Sequence, residues 1–136
     1  MWRYWSGAPK TIRVVVGAQV AVLAYGGVVH VVQLATGGWP PYPWAPAWLA
    51  LYFVALTVLD FLAAALLWAR RTSGLYLSIL ILVTDAAANG YAVYGLPGAA
   101  EIARYSQAII SLLALAAVIT APRVRRWMKR APVSRT

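Results

Sequence analysis

Four long apolar stretches fill most of the chain, at 11–35, 48–69, 74–95 and 99–121. Each matches the roughly 20 residues a helix needs to cross hydrocarbon about 30 Å thick. Polar residues recur within them at regular steps. The first stretch carries Gln19, Leu23, Gly26, His30 and Gln33 at steps of four, three, four and three. The third repeats those steps with Ser78, Leu82, Asp85, Asn89 and Ala92, and the fourth carries Arg104, Gln107, Ser111 and Ala114. The second contributes Thr57 and Asp60. This near-heptad spacing puts each set on one helix face. Lipid cannot satisfy such groups, so the four faces are expected to meet inside a bundle. The pattern predicts an all-α integral membrane four-helix bundle, one domain over 1–136. The short links at 70–74 and 95–98 make consecutive helices antiparallel neighbours, an up-down topology.

Composition agrees with a membrane interior. Of 136 residues, 62% are hydrophobic and only 11% charged, against about a quarter charged in soluble proteins. The absence of cysteine excludes disulfides, thiol redox chemistry and thiolate metal sites. A single histidine argues against a multi-histidine metal or haem centre. No cofactor or metal motif is present, and none is expected. The first stretch follows Arg3, Lys10 and Arg13 as a secretory signal would. It is too long for a signal core and no small-x-small site follows, so it reads as a retained helix.

The net charge of +9 is unevenly placed. Basic residues precede the first stretch, fall at Arg70 and Arg71, and cluster from Arg123 to Arg135. Arg104 alone lies toward the other side. The positive-inside rule then puts both termini in the cytoplasm of a multi-pass plasma-membrane protein. The basic tail at 122–136 is expected to fray and to meet anionic lipid headgroups rather than nucleic acid, with Trp127 and Met128 touching the interface. Trp2, Trp5, Trp68 and Trp127 fall at this boundary, and Trp39, Trp44 and Trp48 at the opposite one, where indoles are usually found. Between the first two stretches, Pro40, Pro41, Pro43 and Pro46 predict a stiff non-helical cap, its aromatics lying on the headgroups or folding over the bundle.

Candidate chemistry lies on the polar seam. At about 1.5 Å per residue, Asp60 sits roughly 18 Å below Trp48 and Asp85 roughly 15 Å below Gly95, both near mid-membrane. Tyr25 is at similar depth, and His30, Gln33, Asn89 and Gln107 lie nearer the outer face. An ionised aspartate at this depth costs on the order of 3 kcal/mol. The two are therefore not expected both to be charged: a protonated Asp85 would donate to Asp60, Tyr25 or Asn89, or His30 would share a proton with one aspartate, or Arg104 would supply charge from the outer end. Glu101 and Arg104 are spaced to form a helix-end pair. The small residues Gly26, Gly27, Ala63–Ala65 and Ala86–Ala88 allow close helix packing or leave room for a ligand.

Three functional readings remain open. The first is binding or proton-coupled movement of a small solute through an outward-facing polar cavity, with Asp60, Asp85, His30, Asn89, Gln33, Gln107, Tyr25 and Arg104 as ligand or proton-binding candidates. The second is a non-catalytic accessory subunit whose seam is structural, with a membrane partner. The third is an intramembrane acid–base enzyme acting on a lipid-soluble substrate. No catalytic motif is present. Four thin helices enclose little volume, so a homodimer is a further expectation.

The stretch 56–91, opening LTVLDFLAAALLWARRTSGL, resembles the second and third helices of DoxX-like small four-helix membrane proteins. The likeness rests on an early acidic residue, a Leu-Leu run, a basic turn and Gly74. The family's usual acidic residue there is Glu, where this chain has Asp60. The resemblance implies a four-helix membrane fold and points to no particular ligand. Lack of cysteine sets the chain apart from quinone-linked disulfide enzymes. Lack of a first-helix glutamate sets it apart from small multidrug exporters.

Overall fold

The computed structural model describes residues 3–130. A 3-10 turn at Arg3–Trp5 leads to α1 (Lys10–Gly37), α2 (Ala47–Trp68), α3 (Thr72–Gly90) and α4 (Glu101–Met128), with a π-helical turn at Tyr91–Gly95 extending α3. All four helices are long and apolar enough to cross a membrane, α3 with its π turn spanning Thr72–Gly95. Pro9 and Pro46 directly precede α1 and α2, where a missing N–H costs no helix bond. Gly38, with φ 75°, ends α1 in the left-handed region that favours glycine.

The buried positions repeat at helical steps. In α1 they are Val16, Gln19, Leu23, Gly27 and His30; in α2 they include Leu49, Phe53, Leu56, Asp60, Ala63 and Leu67. Gly26 faces Asp60 and Gly27 faces Phe61, while Gly74 abuts Leu66 and Leu67. The Gln107 side chain reaches Ala86. Each helix packs chiefly against its neighbours in sequence, α1 on α2, α2 on α3 and α3 on α4. The small residues serve close approach here. A Cβ on Gly26 would stand 2.8 Å from Asp60 Oδ2, and one on Gly27 2.8 Å from the Phe61 ring.

One end of the bundle, the basic end, is sealed. Trp5 is fully buried with Val16, Leu67, Leu75, Val124 and Trp127. Its ring stacks on Trp127 at 5.0 Å and 17°, and its Nε1–H donates to the Trp68 carbonyl at 2.9 Å. Arg70, in the left-handed region at φ 58°, holds its guanidinium 4.0 Å over the Trp127 ring. Its Nη2 donates to the carbonyls of Trp127, Met128 and Arg130 at 3.1, 3.2 and 2.8 Å. Those carbonyls lack helical partners at a C-terminus, so one cation caps α4 from the α2–α3 turn.

Two sequence expectations are corrected at this end. The fourth helix does not stop near 121 with a fraying tail. It continues through Pro122 to Met128, because Val124 and Trp127 are anchored in the core and Arg70 holds the last carbonyls. Trp5 and Trp127 are not interfacial indoles; they bury against each other. At the opposite, proline-rich end, Trp39, Trp44 and Trp48 are exposed as expected. Trp2 and residues 131–136, including Arg135, lie outside the described residues. Glu101 and Arg104 are both exposed.

Candidate functional site

A cavity of about 630 Å³ lies in the proline-end half of the bundle, within the range of about 300–1,000 Å³ common for small-molecule sites. Asp60 and Phe53 of α2 form its back wall with Asp85 and Asn89 of α3. Tyr25, Gly26, His30 and Gln33 of α1 form one flank, and Ser106 and Gln107 of α4 the other. Of the eight residues that sequence patterning singled out, Asp60, Asp85, His30, Asn89, Gln33, Gln107 and Tyr25 line this cavity. Arg104 does not. It shares a helix face with Gln107 but sits in the first turn of α4, where its side chain is exposed.

The two carboxyl groups differ in their surroundings. Asp60 is 4% exposed and makes no hydrogen bond to any described residue. The glycine at position 26 leaves room for its carboxyl group. Asp85 is half-buried and receives the Asn89 Nδ2–H on Oδ1 at 2.7 Å; the same amide also donates to the Asp85 carbonyl at 3.1 Å. Both residues line the same cavity. Gln107, 7% exposed, donates from Nε2 to the Ala86 carbonyl at 2.7 Å and to Ser111 Oγ at 3.2 Å. Its Oε1 is buried without a partner. Turning the amide over would set its oxygen against the Ala86 carbonyl oxygen and keep only a bond from the Ser111 hydroxyl, so the free atom is an acceptor. Gln19 Nε2 and Thr57 Oγ1 are also buried without partners, but neither residue lines the cavity.

The roof is a residue that patterning did not single out. Tyr42 has φ 51°, a conformation that costs a non-glycine residue about 1 kcal/mol or more. It is nonetheless buried, its ring 5.3 Å from Phe53 and 6.2 Å from Trp44. Its hydroxyl donates to Gln33 Oε1 at 3.1 Å and lies 3.1 Å from His30 Nδ1. The phenol has one proton and gives it to Gln33, so His30 Nδ1 carries a hydrogen and donates to the Tyr42 oxygen. Burial pushes the Tyr42 phenol above its ordinary pKa, so it remains a donor at neutral pH. The four neighbouring prolines were the available signal, because they stiffen the loop that holds Tyr42 in place. Tyr42→Phe is expected to keep the ring packing and remove the hydroxyl that joins His30 to Gln33. The expected loss is about 1–2 kcal/mol of stability, read as a lower melting temperature.

Among the described residues, no group of three or more His, Asp or Glu side chains could hold a metal ion. The arrangement is instead a set of hydrogen-bond acceptors at the inner end of a largely apolar chamber. No protein-family model, no curated protein and no solved structure matches this chain.

Proposed function

We propose that this is a small multi-pass membrane protein that binds a small solute in the Asp60–Asp85 cavity. One observation carries the reading. Two carboxyl groups, one of them without a hydrogen bond to any described residue, line a cavity of ligand size, and among the described residues no arginine or lysine lines it. Purely structural polar groups in a bundle usually satisfy one another, because an unpaired polar group in an apolar interior costs free energy. Asp60, with no hydrogen bond to a described residue, is an unspent acceptor, as a binding site needs.

In this reading both termini are cytoplasmic and the proline-rich loop faces outward, so the cavity opens on the outer half of the plasma membrane. Arg125, Arg126 and Lys129 border a shallow depression of about 320 Å³ with Pro122, a place for anionic lipid headgroups on the inner face. The DoxX-like resemblance of 56–91 belongs to this proposal as a common four-helix plan.

The test is the melting temperature of the purified chain against a panel of ammonium, methylammonium, choline, glycine, glucose and 4-phenylbutylamine. At least one solute is expected to raise it, and Asp60→Asn is expected to remove the rise while leaving the unliganded melting temperature within a few degrees. This substitution keeps the side-chain shape and breaks no hydrogen bond to a described residue. No response to any solute, with Asp60→Asn simply less stable, would point to a structural seam.

A further inference from the structure

We infer that the cavity takes a hydrophobic organic amine, held as its ammonium and admitted sideways from the bilayer through a slot between α1 and α4. This rests on the reading of the cavity as a solute site and names the class of solute.

Charge sets the first limit. The ionisable groups facing the cavity are Tyr25 and His30 from α1, Tyr42 from the loop, Asp60 from α2 and Asp85 from α3; α4 contributes none. An anion would meet two carboxyl groups and no arginine or lysine. An ammonium meets Asp60, which makes no hydrogen bond to any described residue, beside the Gln107 side chain. Both residues are more than nine-tenths buried, where a charge-assisted hydrogen bond is strongest. The aromatic wall of Tyr42, Trp44 and Phe53 adds faces that attract a cation.

Shape sets the second. The rest of the lining is aliphatic, including Val22, Val29, Ile81, Ile110 and Leu113, and would have no use for a small hydrated cation. Access sets the third. Helices α1 and α4 converge at the basic end, where Val16 and Val124 share a core, but flank the cavity on either side farther along. Tyr25, 71% exposed, and Ile109, 59% exposed, stand on its two edges. Both belong to helices apolar enough to be surrounded by lipid. A charged amine crosses hydrocarbon at high cost, whereas its neutral form does not. The neutral amine's nitrogen lone pair takes the proton held by the carboxyl pair. The O–H bond breaks as the N–H bond forms, leaving a carboxylate–ammonium pair with no change in net charge.

The test uses the full chain in phosphatidylcholine nanodiscs, with radiolabelled 4-phenylbutylamine against 4-phenylbutan-1-ol and methylammonium. The amine is expected to bind about tenfold tighter than the alcohol, because one charge-assisted hydrogen bond is worth that factor or more. Asp60→Asn should erase the preference, and Asp85→Asn serves if the first variant melts much lower without ligand. Ile109→Trp, which narrows the slot, should slow association about fivefold or more with an unchanged unliganded melting temperature. Equal binding of amine and alcohol overturns the proposal, as does an association rate untouched by Ile109→Trp. Binding of methylammonium without phenylbutylamine overturns it while the solute-site reading stands. Binding of neither, with no response across the wider solute panel, removes both.

Discussion

Gly74→Ala is expected to be the most damaging single-methyl substitution in this chain. Gly74 lies in the first turn of α3, just after the tight turn that reverses the chain from α2. Its Cα presses on the last turn of α2 so closely that an added Cβ would fall on the Leu67 backbone nitrogen and the Leu66 carbonyl carbon, and 2.8 Å from Leu66 Cβ. The obstacle is mostly backbone, which cannot rotate aside as a side chain can. Overpacking of this kind costs about 3 kcal/mol at the upper end of its usual range. The α2–α3 hairpin is expected to splay, which would also separate the carboxyl groups of Asp60 and Asp85. The measurement is the yield and melting temperature of detergent-purified protein, with Ser73→Ala as control because Ser73 is exposed. A Gly74→Ala protein that melts with the wild type would show that the two helices are not in backbone contact.

The second large effect is at the sealed basic end of the bundle. Trp5→Ala is expected to lower stability by about 3–5 kcal/mol, the usual cost of emptying a fully buried large aromatic. The loss has three physical parts. The stacked contact with Trp127 goes, the Trp68 carbonyl loses its indole donor, and a void opens beneath Arg70. Trp5→Phe separates them: it keeps an aromatic face for Trp127 and loses only the hydrogen bond and part of the volume. Its expected cost is nearer 1 kcal/mol. Thermal melts of the two variants give the comparison, and near-equal melting temperatures would mean that the stack contributes little.

Much of this arrangement can be read in the linear pattern, for a definite reason. A helix has one period, so the steps that join Gln19, Leu23 and His30, or Ser78 and Leu82, state which face turns inward before any partner is known. That is how most of the polar residues around the cavity could be named together. The same period says nothing of how far apart two inward faces stand, so the cavity that residues of all four helices line was not legible. Nor does it fix which edge of a polar face meets the cavity: Arg104 looked equivalent to Gln107, yet Ala103, Ser106 and Gln107 line the cavity while the Arg104 side chain is exposed. Tyr42 depends on a left-handed backbone in a loop, a choice that follows from the His30, Gln33 and Phe53 side chains it meets and not from its neighbours in sequence. The Trp5–Trp127 stack joins residues from the two ends of the chain, and interfacial preference alone assigns both indoles to lipid. Pro122 usually marks a helix end, but tertiary anchoring by Val124, Trp127 and Arg70 outweighs it here.

The slot between α1 and α4 makes the surrounding lipid the solvent from which the proposed site draws. Occupancy then follows the mole fraction of amine dissolved in the bilayer rather than its concentration in water. Enlarging the lipid pool at fixed total amine would empty the site without any change in the protein. Two amines with identical contacts to Asp60 would differ in apparent affinity by the ratio of their partition coefficients.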